Sequence, residues 1–406
     1  MINGFDLSKF IDEKVIERPS DFFQKDLVDH SNQLGQAIKG KSALVIGGAG
    51  TIGSSFIMAL LDHKPKRVVV VDLNENGLAE LIRDIRSEPG VIIPQDLRTY
   101  PIDFGGEVFY NLLEAEETFD IVANFAAHKH VRSEKDPYSI KAMIANNVFK
   151  TSRLLSHLKD AGKPTHFFAV STDKAANPAN VMGASKKLME NIILSYQYDF
   201  KVVTARFANV AFSNGSLPFA YLNRLAKSQP LSSPRNIKRY FISPKESGQL
   251  CLLACILGKS GNIFFPKLDS EKHMKTFTHI AEHLLESLGY EIKYADTEEE
   301  ARSLSKSLKG SSSYPVYFFS SDTSGEKPYE EFYIEEEKYD LDAFDSLGFI
   351  ESDYKVYNNY SDKLKDFEEE IMKSTSVSKE QIVKKMTSLI PTFSHIEKGK
   401  HLDQRM

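Results

Sequence analysis

Ser171-Thr172-Asp173-Lys174 puts a hydroxyl, a carboxyl and an amine in one run, and Met182-Gly183-Ala184-Ser185-Lys186 begins eight residues after Lys174. An acid beside an amine is equipment for moving protons: one group takes a proton from carbon while the other gives one to a departing oxygen. A lysine acts as base only where its ammonium is destabilised, by desolvation or by positive neighbours. Lys186 is a candidate for such a neighbour. Met182 exchanges no protons and can only shape a pocket. Thr172, Asp173, Lys174, Met182 and Lys186 therefore form the candidate catalytic set. An Asp-Lys pair after a strand is ordinarily a surface salt bridge. This one follows an apolar strand and precedes a lysine at helical spacing, which sets it apart.

A second constellation is Gly47-Gly48-Ala49-Gly50-Thr51-Ile52-Gly53, after an apolar run and before a helical stretch. Small residues there let the backbone turn tightly and approach a pyrophosphate, and the following helix N-terminus offers its N–H groups. Asp72 ends the next strand 19 residues after Gly53, the placement of a carboxylate that bonds ribose hydroxyls. It would repel a 2′-phosphate, so NAD is favoured over NADP, although Lys66 and Arg67 stand nearby. Asp103 is placed to reach the adenine edge or to be a solvated loop residue. Ala126 and Ala127 end a further strand with small side chains, where the chain must pass the cofactor. Gly47, Gly50, Thr51, Ile52, Gly53, Asp72, Asp103, Ala126, Ala127 and Lys186 are the candidate cofactor residues.

These residues need a scaffold. Strands are expected at 42–48, 67–72, 99–103, 120–127, 166–172, 201–210 and 262–266. Helical stretches such as SSFIMALLDH and FKTSRLLSHLKDA lie between most of them. The alternation predicts an α/β fold: a Rossmann-type, doubly wound parallel sheet with a smaller C-terminal substrate-binding lobe. The expected organisation is a helical lead over 1–40, with Pro19 and Ser20 as a helix start, and an NAD-binding domain over 41–212. Residues 242–266 return to that domain, 213–335 form the lobe, and 336–406 are an ordered tail or an oligomerisation arm. In the lobe, QPLSSPRNIKRYF reads as irregular and KHMKTFTHIAEHLLESLGYE as helical.

The formal net charge of -5 gives no reason to expect nucleic acid. No apolar run approaches the roughly 20 residues needed to span a bilayer, and MINGFDLSKFIDEK has no signal-peptide core, so a cytoplasmic protein is expected. Cys251 and Cys255 are the only cysteines. They argue against a disulfide framework and read as two small buried residues on one helical face. His128 and His130 form an HxH pair without a third ligand, so no metal is expected.

The chain resembles the extended short-chain dehydrogenases. Within them it is similar to the polysaccharide-biosynthesis 4,6-dehydratases of UDP-N-acetylglucosamine. The matching segments are GKSALVIGGAGTIGSS, AAHKHVRSEKDPY, ANNV, STDKAANPANVMGASK, ARFANVAFSNGS, RYF at 239–241 and SGEKPYEEF at 324–332. The likeness spans roughly residues 13 to 335 and is most specific in the STDK block. It points to the soluble short form, of the configuration-retaining kind that opens legionaminic-acid synthesis. The resemblance implies a UDP-sugar substrate, a homo-oligomer and these roles: Thr172 bonds the 4-oxygen, Lys174 is the base at C5, Asp173 is the acid for the 6-hydroxyl, and Lys186 holds the nicotinamide ribose. It also implies that Asn209 contacts the phosphates and that Lys129, His130 and Glu134 lie in a loop over the sugar. Arg239 is the cation left for the diphosphate, since guanidinium suits bidentate phosphate bonding.

Three positions depart from the family pattern: Met182 replaces the tyrosine, Thr323 stands where relatives carry an arginine, and His128 replaces an apolar residue. Two other readings stay open. A UDP-sugar 4-epimerase or 4-ketoreductase would lack its tyrosine acid, and would not need the Asp-Lys pair. A non-catalytic NAD-binding sensor would leave the retention of Thr172, Asp173, Lys174 and Lys186 unexplained.

Overall fold

The computed structural model describes residues 4–18, 22–322, 324–352 and 360–397. The expected helix start at Pro19 and Ser20 and the departure at Thr323 lie outside the described residues. The strands are β1 (Ser42–Ile46), β2 (Arg67–Val71), β3 (Asp96–Tyr100), β4 (Ile121–Asn124), β5 (His166–Val170), β6 (Val202–Ala205), β7 (Asn209–Val210), β8 (Leu231–Pro234), β9 (Lys238–Ile242), β10 (Asn262–Pro266), β11 (Met274–Thr276), β12 (Glu291–Ala295), β13 (Ser313–Phe319), β14 (Tyr339–Asp340) and β15 (Leu347–Glu351).

The main sheet runs β14-β15-β10-β6-β5-β4-β1-β2-β3. Pairings from β3 to β10 are parallel, and β15 and β14 add antiparallel edges. The Rossmann order reverses between β1 and β4, and ligands bind such sheets at the carboxyl ends beside that reversal. The continuous apolar runs are explained by burial on both faces: every residue of β1 and β2 is buried. One face packs on the helices Thr51–Leu61 and Pro244–Leu257, which carries both cysteines. Burial pushes the Cys255 thiol up to about 12. The other face packs on Lys150–Ala161 and Val181–Ser195.

The smaller lobe holds the parallel set β12-β13-β8 with the helices Leu217–Ala226, Phe277–Ser287 and Glu298–Ser307. A bridging set, β11-β9-β7, joins it to the main body. Here two expectations are corrected. QPLSSPRNIKRYF is not irregular: it supplies β8 and β9. Ser232 and Ser233 are buried in β8, so the segment lacks the polar–apolar alternation that marks a half-exposed strand. KHMKTFTHIAEHLLESLGYE is not one helix, because Met274–Thr276 pairs with β9. The strand expected at 99–103 lies at 96–100, leaving Asp103 in the following turn.

The ends of the chain are woven into both parts. Phe10, Ile11, Val15 and Ile16 pack in the core of the lobe, whereas Phe23, Leu34 and Ile38 pack in the main body. After β15, the helices Tyr360–Phe367 and Lys379–Leu389 cover the second face of the sheet through Leu364, Phe367, Ile382 and Met386.

Candidate active site

The glycine loop turns from β1 into the helix Thr51–Leu61. Gly47 has φ +75°, and a Cβ on it would lie 2.5 Å from Ala126 N. A Cβ on Gly53 would lie 2.4 Å from Gly47 O. Only glycine fits either place, because the loop turns tightly against the end of β4 and against its own helix. Gly50 caps the helix with extended backbone. Thr51 ties the loop to the lobe by accepting from Asn214 N at 3.0 Å. Ile52 packs against the core. Asp72 accepts from Ala49 N at 3.0 Å and Asn74 N at 2.9 Å, which sets its carboxylate at the lip of the loop.

Asp103 is held by Lys150, 2.7 Å from both oxygens, and by Gly105 N. Partial burial works against its charge, but these bonds keep its pKa below the usual range. The turn after β4 is fixed from beneath by Asn147. That fully buried amide accepts from His128 N at 2.9 Å and donates to His128 O at 2.9 Å and Ser185 Oγ at 3.0 Å. Ala126 and Ala127 thus pass the glycine cradle. Asn147 was visible only as part of ANNV; its positioning role depends on the fold.

The catalytic candidates converge at the end of β5. Thr172 caps a short turn, Asp173–Ala175, and its Oγ1 donates to Asp173 Oδ1 at 2.8 Å. Lys174 Nζ lies 3.0 Å from the same oxygen. Asp173 is 3% exposed, and its Oδ2 is buried without a hydrogen-bond partner. A buried, unpaired carboxylate oxygen is costly, which marks it as a place for a ligand donor. The helix Val181–Ser195 presses on this turn through Gly183, whose hypothetical Cβ would lie 2.5 Å from Lys174 O. Met182 and Lys186 lie one helical turn apart on that helix and are both buried. Lys186 Nζ donates to Val170 O at 2.9 Å, and burial brings its pKa down to about 8.

One carboxyl in this cluster was not singled out in the sequence. Glu330 Oε1 lies 3.8 Å from Lys174 Nζ and 3.7 Å from Arg239 Nη2. It is 3% exposed, and burial raises its pKa against the pull of both cations. Its signal was present in SGEKPYEEF, but nothing local distinguishes Glu330 from Glu331. Arg239 itself is buried, and its Nη1 donates to the carbonyls of Lys238 and Lys327 at 2.8 and 3.0 Å. It stands in the Lys174–Glu330 cluster.

The expected sugar loop divides. Lys129 and His130 are exposed at its rim, and His130 lies against Gly215. Glu134 points inward: its carboxylate accepts from Val181 N at 2.6 Å and pairs with His395. It braces the catalytic helix from the C-terminal segment. Asn209 is half-buried on β7, beside β9.

The sheet order and the glycine cradle are those of the extended short-chain dehydrogenase/reductase fold. Residues 43–351 match the family described as polysaccharide biosynthesis protein, and the chain belongs to that family, which counts dehydratases and epimerases among its relatives. It is 32% identical to an uncharacterised membrane protein of Methanocaldococcus jannaschii, over 80% of this chain and 90% of that protein. It is 29% identical to the probable polysaccharide biosynthesis protein EpsC of Bacillus subtilis, over 68% of this chain, and spans only 45% of EpsC. It is 28% identical to the inverting UDP-N-acetylglucosamine 4,6-dehydratase of Campylobacter jejuni, over 62% of this chain and 73% of that enzyme. The structure of Pen from Bacillus thuringiensis shares the fold, with a TM-score of 0.63 at 24% identity, over 78% of this chain and 89% of Pen. Among the described residues no helix is long and apolar enough to cross a membrane.

Proposed function

We propose that the protein is a nucleotide-sugar 4,6-dehydratase that converts UDP-N-acetylglucosamine to the 4-keto-6-deoxy sugar, for surface polysaccharide or nonulosonic-acid synthesis. One observation carries the reading: the Asp173–Lys174 pair at 3.0 Å, with a buried, unpartnered Asp173 oxygen, set against a helix that bears Met182 and Lys186. A reductase or epimerase needs a proton-exchanging group where Met182 stands. Only elimination of water needs an adjacent acid and base.

The glycine cradle and Asp72 fit NAD, whose chemistry there would be to accept hydride from C4 and return it to C6. The protein's own part is proton movement. Thr172 would hydrogen-bond the 4-oxygen, and the charge on Lys186 would favour loss of the 4-hydroxyl proton, which would leave to solvent through water. The C4 ketone makes the C5 proton acidic, and Lys174 as free amine would take it and give a proton back to C5 when C6 is reduced. Asp173 in its protonated form would give a proton to the departing 6-hydroxyl. The working pair is thus the neutral tautomer of an ion pair, with one shared proton and a 3.0 Å path between the two groups. Burial of Asp173 favours that tautomer, because a site removed from water disfavours separated charges. Arg239 and Asn209 would face the diphosphate, and Lys129 and His130 the sugar. The resemblance of the STDK block favours retention at C5, whereas the Campylobacter jejuni relative is an inverting enzyme, and the ring couplings of the product decide between them.

The test is proton NMR of the purified protein with UDP-N-acetylglucosamine in D₂O, first without added cofactor and then with NAD⁺. A new 6-methyl signal is expected, and the ring couplings report retention or inversion. An unchanged spectrum with NAD⁺ present would end the dehydratase reading for this sugar. Interconversion at C4 without a methyl signal would install the epimerase.

A further inference from the structure

Away from the cleft, the N-terminal segment meets the smaller lobe at three side chains of ligating type. Glu17 ends the helical turn Ile11–Ile16 in the left-handed region, at φ 49° and ψ 38°, which is uncommon for a residue with a Cβ. His279 and His283 lie on the helix Phe277–Ser287 at i and i+4, so both rings project from one face. Their centroids are 4.2 Å apart. Glu17 Oε1 is 3.3 Å from His279 Nε2. One ligand atom from each of the three residues lies within 4.8 Å of the others.

The surroundings fit a ligand set better than a plain salt bridge. His279 Nε2 is buried and makes no hydrogen bond of good geometry to protein, and an orphaned buried nitrogen is costly. His283 Nδ1 is engaged by the Glu286 carboxylate at 3.0 Å. When Nδ1 donates there, the lone pair is on Nε2. A carboxylate behind an imidazole is the usual outer support of a metal-bound histidine. Glu17 is supported in the same way, with Lys275 bonding its other oxygen. Glu17, His279 and His283 are each partly exposed, which leaves a path from solvent.

We propose that Glu17, His279 and His283 bind a divalent transition-metal ion of the zinc type, which pins the N-terminal segment to the lobe. Two imidazoles and one carboxylate suit Zn²⁺ or Co²⁺ and leave a fourth position for water. Mg²⁺ and Ca²⁺, which take oxygen ligands, are poorly served. The site is independent of the dehydratase reading, since none of the three residues belongs to the cleft.

The experiment is equilibrium dialysis of the full chain, stripped with chelator, against Zn²⁺, with metal measured by elemental analysis, and Co²⁺ absorption as a report on geometry. One ion per chain is expected. His279→Ala and His283→Ala should abolish binding, and Glu286→Ala should weaken it about tenfold through the outer carboxylate. Zn²⁺ should raise the melting temperature of the wild type and not of His283→Ala, with circular dichroism confirming that this variant is folded. The proposal is overturned if the wild type binds no ion, if folded His279→Ala and His283→Ala chains keep it, or if His128→Ala removes it instead.

Discussion

Asp173 carries the sharpest residue-scale expectation. Its buried Oδ2 makes no hydrogen bond to protein, so Asp173→Asn removes the proposed proton donor and keeps the shape. Turnover should fall about 10²-fold or more, while NAD binding, read by fluorescence titration, should be unchanged. Undiminished turnover would remove Asp173 from the chemistry. Glu330 acts one contact further out. In its ionised form, 3.8 Å from Lys174 Nζ, it favours the ammonium and so holds back the base. Glu330→Gln should therefore release the base and move the acidic limb of the kcat/KM profile down by about one pH unit. A limb that does not move would make Glu330 a purely structural brace between Lys174 and Arg239.

Elements position these residues by close contact. The helix Val181–Ser195 touches the catalytic turn at Gly183, and Asn180 caps it by accepting from Gly183 N at 2.8 Å. Gly183→Ala would push a methyl onto the Lys174 carbonyl, where no flexible side chain can give way. Such overpacking costs about 1–3 kcal/mol. The larger effect should be on rate, because the displaced group is the base itself and ~1 Å of misplacement can cost about 10²-fold. Parallel thermal melts and turnover measurements would separate the two; a variant with full turnover would show that the turn tolerates displacement.

At the scale of the whole molecule, the segment before β14 is tied to the main sheet by a buried ion cluster. Arg206 is fully buried and bonds both Glu190 oxygens at 3.0 Å and both Glu337 oxygens at 2.7 Å, while Ser171 bonds Glu190 at 2.6 Å. Burial would raise the Glu337 pKa, but Arg206 overrides it and brings it to about 2. A carboxylate pKa depressed on folding stabilises the protein above its unfolded value of 4.5, and that contribution is lost as pH falls from about 4.5 toward 2. The shift corresponds to roughly 3 kcal/mol. Urea melts of the wild type should lose stability over this range. Glu337→Gln should be less stable at pH 7, because it weakens the pairing of a buried guanidinium, and should show a flatter acid dependence. A parallel loss in both proteins would place the acid sensitivity elsewhere.

What can be read in the chain by itself is what is local. The glycine loop with Asp72, the STDK run and the Met182–Lys186 spacing each occupy a short stretch; the first two stand where parallel strands end and the third on the helix that follows. Alternating apolar runs and helical stretches were enough for the sheet, since strands buried on both faces leave a continuous signature. The same reasoning failed at β8, where Ser232 and Ser233 are buried by tertiary contact, and at β11, a three-residue strand too short to show a period. Tertiary structure alone decided which distant charges meet: Lys174 and Arg239 at Glu330, Glu337 at Arg206, His395 at Glu134, and Glu17 at the two lobe histidines. Composition does not mark these charges, because a charged residue looks the same whether it faces water or a partner. What distinguishes them is burial and a partner far along the chain, and both come into being only when the chain folds.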